Sequence, residues 1–163
     1  MYRNNGNTDI SSILRSRPYA YASMDGNESF PQITGSVKFY PTQKGVLVAA
    51  EIIGLPKPTE ECKKGIFGFH IHEGESCTGS ERDPLSDTGA HYDADGCPHP
   101  YHSGDLPPLF GNDGYALSVF LTDRFTLDQV IGKTVVIHSG PDDFTTDPSG
   151  NSGTKIACGV IRR

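Results

Sequence analysis

Apolar positions along this chain come in short runs bounded by turn residues, and none keeps a helical period for long. "YAYASM" at 19–24, "ITGSVKFY" at 33–40 and "GVLVAAEIIGL" at 45–55 follow one another, with the turn "PTQKG" joining the last two. Val37 and Phe39 alternate with Ser36 and Lys38, the period of a strand with one buried face. The style repeats in "GYALSVFL", "KTVVIHSG" and "KIACGVI" in the second half. The helical signal is confined to "TDRFTLDQVIG", where Thr126 and Gln129 are spaced as a capping box but the run suits little more than one turn. The pattern predicts an all-β fold, a Greek-key β-barrel or sandwich of about eight antiparallel strands.

Two stretches interrupt the rhythm, residues 73–113 and residues 139–154. Irregular segments of that length in a compact domain usually carry function or need an internal anchor. The chain of 163 residues suits one domain, read here as 18–163, behind a disordered or loosely attached segment 1–17.

Charge narrows the partners. A net charge of -6 without any block of Lys or Arg argues against nucleic acid and against an anionic membrane surface, so a small partner is expected. No apolar run approaches the roughly 20 residues of a spanning helix. The N-terminal "MYRNNGNTDISSILRSRPYAYA" has no apolar secretory core, which predicts a cytoplasmic location. The alternative is export, with a signal lying outside the residues given. Cys62, Cys77, Cys97 and Cys158 allow three full pairings and do not form a Cys-x-x-Cys motif, which leaves disulfides and free thiols both open.

The candidate chemistry is histidine. All six histidines fall between positions 70 and 138. In "FHIH" at 69–72, strand alternation puts Phe69 and Ile71 on one face and His70 and His72 on the other, a common way to offer two nitrogens to one metal. "AHYDADGCPHPYHSGD" then places His91, His99, His102 and Asp105 close together, three imidazoles and a carboxylate that suit tetrahedral zinc. Pro98 and Pro100 stiffen the backbone around His99. His138 ends an apolar strand just before the second long loop. These are more ligands than one four-coordinate ion needs, which points to two metals sharing a ligand.

The blocks "GFHIHE", "GAHYD", "HSGDL", "IGKTVVIHSGPDD" and "GNSGTKIACGVI" resemble, in order, those of the Cu/Zn superoxide dismutases over about residues 19–161, and "GDLPPL" leans toward the bacterial branch. The resemblance implies copper on His70, His72, His91 and His138, and zinc on His91, His99, His102 and Asp105. It implies that His91 bridges the two ions and that Asp142 links His70 to His99. It also implies a Cys77–Cys158 disulfide, and superoxide as substrate, guided by Lys155 where the family has an arginine. The reaction implied is ping-pong Cu(II)/Cu(I) cycling that turns superoxide into dioxygen and hydrogen peroxide, with His91 supplying a proton.

Three features depart from the family pattern. Only two residues separate His99 from His102, Cys62 and Cys97 lie outside the pattern as a possible second disulfide, and the 139–154 loop has no basic residue. The last predicts weak electrostatic steering. The chain stops at "GVIRR", short of the tail of many dimeric members, so both monomer and homodimer fit. A copper/zinc-binding protein without turnover is the alternative function. A zinc hydrolase fits poorly, because Glu73 alternates to the strand face opposite His72.

Overall fold

The computed structural model describes residues 9–60 and 65–163. Its strands are β1 (Ala20–Gly26), β2 (Thr34–Thr42), β3 (Gly45–Ile53), β4 (Gly65–Phe67), β5 (Phe69–His72), β6 (Leu109–Gly111), β7 (Ala116–Thr122), β8 (Thr134–His138) and β9 (Lys155–Val160). Seven of them form one antiparallel sheet in the order β5-β8-β9-β1-β2-β3-β7, and β4 pairs with β6. Because β4 leads into β5 and β6 into β7, this small pair connects the two outer strands of the large sheet, which curls into a barrel. Strands β4 and β5 read as one strand broken at Gly68, whose amide donates to Gly140 O at 2.7 Å and whose carbonyl accepts from His138 N at 2.8 Å.

Alternation fixes the faces. Ala22, Val37 and Ala50 lie opposite one another across β1, β2 and β3 and are fully buried, as are Phe39 and Val48. Phe69 and Ile71 from β5 enter the same core. Each of the Val, Ile and Phe side chains among them contributes about 1.5–3 kcal/mol by leaving water. Phe39 also meets Phe125 edge to face at 6.5 Å within the same core.

Helices are minor. Helix α1 (Ile10–Arg15), in the segment read as loose, is capped by Asp9 through Ser11 N at 3.1 Å and buries no residue. Helix α2 (Leu127–Val130) is one turn long, and its Gln129 side chain accepts the Thr126 amide at 2.7 Å. Among the described residues no helix is long and apolar enough to cross a membrane.

The first long loop returns to the barrel through a disulfide between Cys77 and Cys158, 81 positions apart. Around it, Leu85 and Val136 form a small cluster outside the main core. Cys97 carries a free thiol, and the second disulfide considered for it involves Cys62, which lies outside the described residues. The irregular segment read as 73–113 is shorter in the structure, because β6 occupies Leu109–Gly111.

Candidate metal centre

Strand β5 is an outer strand of the large sheet, and the first loop covers its free edge. Ile71 N donates to Gly104 O at 2.8 Å, Tyr92 N to Ile71 O at 2.8 Å and Gly104 N to Tyr92 O at 2.7 Å. Residues 91 and 105 are thereby placed beside 72 and 70. On the other side β5 pairs with β8, which puts Thr134 opposite His72 and Val136 opposite His70. A bulge between Ile137 and His138 re-aims the last residue of β8. Strand ends and a docked loop thus bring His70, His72, His91 and His138 into one buried group whose ligand atoms lie within 4.8 Å of one another. His91, His99, His102 and Asp105 form a second group under the same limit.

The hydrogen bonds of the rings show which nitrogens are left over. His72 Nδ1 donates to Gly89 O at 2.9 Å and His138 Nδ1 faces Gly153 O at 3.3 Å, so each presents a lone pair at Nε2. Those two Nε2 atoms stand 3.2 Å apart. With both protons on Nδ1 there is none to join them, and two facing lone pairs favour a cation between them. His70 Nε2 donates to Asp142 Oδ2 at 2.8 Å and His99 Nε2 to Asp142 Oδ1 at 2.9 Å, which leaves their Nδ1 atoms as acceptors.

His70 Nδ1, His91 Nε2, His99 Nδ1 and His102 Nδ1 are buried without a hydrogen-bond partner. His99 Nδ1 and His102 Nδ1 lie 3.1 and 3.2 Å from Asp105 Oδ2, close enough for a bond but not aimed along one. A buried orphan polar atom costs about 1–3 kcal/mol, so four converging orphans call for a common partner. Two cations supply it, and the donor chemistry fits them. An all-imidazole group suits copper, and three imidazoles with a carboxylate suit zinc. His91 belongs to both groups, with Nδ1 2.7 Å from Asp105 Oδ1 and Nε2 free to face the first group.

Lys155 stands opposite His138 in the register of β8 and β9. Its ammonium donates to Leu85 O at 3.2 Å and to Gly89 O at 3.3 Å, and the latter carbonyl also holds His72.

A family model described as copper/zinc superoxide dismutase matches residues 33–161. The chain belongs to the copper/zinc superoxide dismutase family. It is 35% identical over 150 residues to a Cu-Zn superoxide dismutase of Deinococcus radiodurans, covering 80% of this chain and 78% of that one. It is 32% identical over 158 residues to Cu-Zn superoxide dismutase 2 of Aquifex aeolicus, covering 88% and 86%. To the Cu-Zn superoxide dismutase of Escherichia coli it is 33% identical over 149 residues, covering 80% of each chain.

In this member of the family the ring charges are strongly disfavoured. Burial pushes His138 down to about 3, helped by the neighbouring His70. Burial also holds His72 well below its ordinary value, with His91 and His138 adding to the effect, and it holds His70 below in spite of Asp142. For Asp142 burial opposes ionisation, yet the hydrogen bonds from His70, the Phe144 amide and His99 outweigh it and hold the carboxyl well below the usual range. His70, His72 and His138 are therefore in the ligating, neutral form.

The sign of the resulting pH dependence follows. The unfolded chain takes up protons below about pH 6.5 that the folded rings refuse, so stability is complete above that value and falls toward His138's value of about 3. The metal-free protein is expected to lose about 1.4 kcal/mol per pH unit for each imidazole held neutral. Asp142, whose value is lowered, adds a loss of the same sign at lower pH, inside the carboxylate range. Urea midpoints of metal-free protein at pH 7 and pH 5 measure this, and equal midpoints would contradict it.

Sequence reasoning passed over several parts of the site. The carbonyls of Gly89 and Gly153 set two tautomers, and a backbone acceptor has no sequence signal. Asp147 accepts the His99 amide at 2.9 Å across the two loops. Gly150, at φ +64°, leaves room that a methyl would take from Asp142, and that methyl would lie 2.7 Å from His99 Nε2. Its place in a Pro-Ser-Gly-Asn turn was the available signal.

Proposed function

We propose that this chain disproportionates superoxide to dioxygen and hydrogen peroxide. His70, His72, His91 and His138 hold copper, and His91, His99, His102 and Asp105 hold zinc. When bound, copper supplies the one-electron couple that oxidises one superoxide and reduces the next, while zinc is redox-inert. The observation that carries the reading is the pair of buried ligand groups that share His91 and leave four ring nitrogens without partners.

The protein's own groups then have distinct tasks. His91 turns Nδ1 toward Asp105 and the second ligand group, so Nε2 is the atom at which a proton can be held and passed to the reduced substrate. Asp142 keeps His70 and His99 in the tautomers that ligate through Nδ1. Lys155, tethered to two carbonyls beside His72 and His138, offers positive charge to the anionic substrate as a point charge without a bidentate fork.

Metal analysis combined with a superoxide disproportionation assay tests the proposal. Copper and zinc near one each per chain, with turnover, is expected; zinc without copper, and no turnover after copper loading, would overturn it in favour of metal binding alone. The loop 139–154 carries Asp142, Asp143 and Asp147 and no Lys or Arg, in a chain of net charge -6. The rate is accordingly expected to change by less than about twofold between low and physiological salt, since strong steering would give a steep decrease.

A further inference from the structure

The segment that carries three of the proposed zinc ligands has little backbone structure of its own. Between 98 and 105 it closes two turns, Tyr101 N to Pro98 O at 2.8 Å and Asp105 N to His102 O at 3.2 Å. Its outward carbonyls converge on one side chain from elsewhere in the barrel. Arg124 Nη1 lies 2.8 Å from Pro100 O, 3.2 Å from His102 O and 3.4 Å from Asp105 O. Among the described residues no carboxylate pairs with this guanidinium, so its charge is directed at the loop.

The base of Arg124 is fixed independently of the loop it holds. It follows β7 by two positions, its amide donates to Thr122 Oγ1 at 3.3 Å, and the next residue, Phe125, is buried against Phe39. From the inner side, His99 and Asp105 are held by Asp142, Asp147 and His91. From the outer side, where the ligand-bearing turn is short, Arg124 is the group that reaches both His102 and Asp105.

We propose that Arg124 is a positioning residue for the zinc ligands, holding residues 100–105 in ligating geometry through their carbonyls before the ion binds. The proposal rests on the zinc assignment made above. A guanidinium suits the task because it stays charged at any relevant pH and presents its donors in a rigid plane.

The test compares the full-length chain with Arg124→Ala and Arg124→Lys. Zinc affinity is read by competition with a chromophoric chelator, and ligand geometry by the visible spectrum of cobalt(II) placed in the zinc group. Arg124→Ala is expected to weaken zinc about 10–100-fold and alter the cobalt spectrum, while copper affinity changes less than about threefold. Arg124→Lys is expected to recover part of both losses, because an ammonium can donate to several carbonyls. Zinc affinity within about threefold of native in Arg124→Ala, with an unchanged spectrum, would overturn the proposal. So would losses that follow thermal stability in both variants while the spectrum stays native, since that marks a general structural effect. If the native chain itself binds no zinc, the assignment beneath the proposal fails, which the first measurement reveals.

Discussion

Replacing Asp142 by alanine is expected to lower zinc and copper affinity together, by about 10–100-fold each. One carboxylate serves both groups, accepting from His70 at 2.8 Å through one oxygen and from His99 at 2.9 Å through the other. It is only 6% exposed, so water cannot readily replace it. Without it both Nε2–H donors are left buried and unpaired, and neither ring is held in the tautomer that ligates through Nδ1. His72→Ala is the informative contrast, because His72 is held by Gly89 O alone and belongs to the first group. That variant should lose copper and keep zinc. Gly150→Ala should reproduce the Asp142→Ala result without replacing any ligand or Asp142 itself, because its methyl would press on Asp142 and on His99 where the two are hydrogen-bonded. Equilibrium dialysis with metal analysis decides the matter, and equal zinc retention in Asp142→Ala and His72→Ala would refute the asymmetry.

Removing the disulfide, as Cys77→Ser with Cys158→Ser, is expected to be the most destabilising change outside the core. Cross-linking positions 81 apart removes about 4.5 kcal/mol of chain entropy from the unfolded state. The loss should extend to the site, because the loop tethered by Cys77 contains Leu85 and Gly89, whose carbonyls hold Lys155 and His72. Urea denaturation of the metal-free protein, with and without the bond, measures the stability change. A loss below about 1 kcal/mol would show that packing of Leu85 and Val136 already fixes the loop.

Much of the site could be read from the chain because its signals are local. "FHIH" places two imidazoles on one strand face by alternation, and both are buried under the first loop. The concentration of ligand types in 91–105 reflects one loop that must close around an ion, and the structure groups those four residues together. The resemblance of whole blocks added what spacing could not, chiefly the place of Asp142 and the pairing of Cys77 with Cys158. Cys97 had no such guide, and it carries a free thiol.

The sequence by itself determined the strand periods, the turns between them and the residue types from which metal ligands could be drawn, since each depends on neighbours within a few positions. Only the tertiary structure decided which way the periods face. In β7 the alternation is plain, yet Leu117, Val119 and Leu121 point outward while Ala116 is buried, because the barrel's curvature sets the inner side. It also decided which backbone carbonyls meet His72 and His138, and that Arg124 gathers three carbonyls of a loop 19 or more positions away. Such contacts join groups that are distant along the chain, and their geometry comes into being only when strands and loops pack.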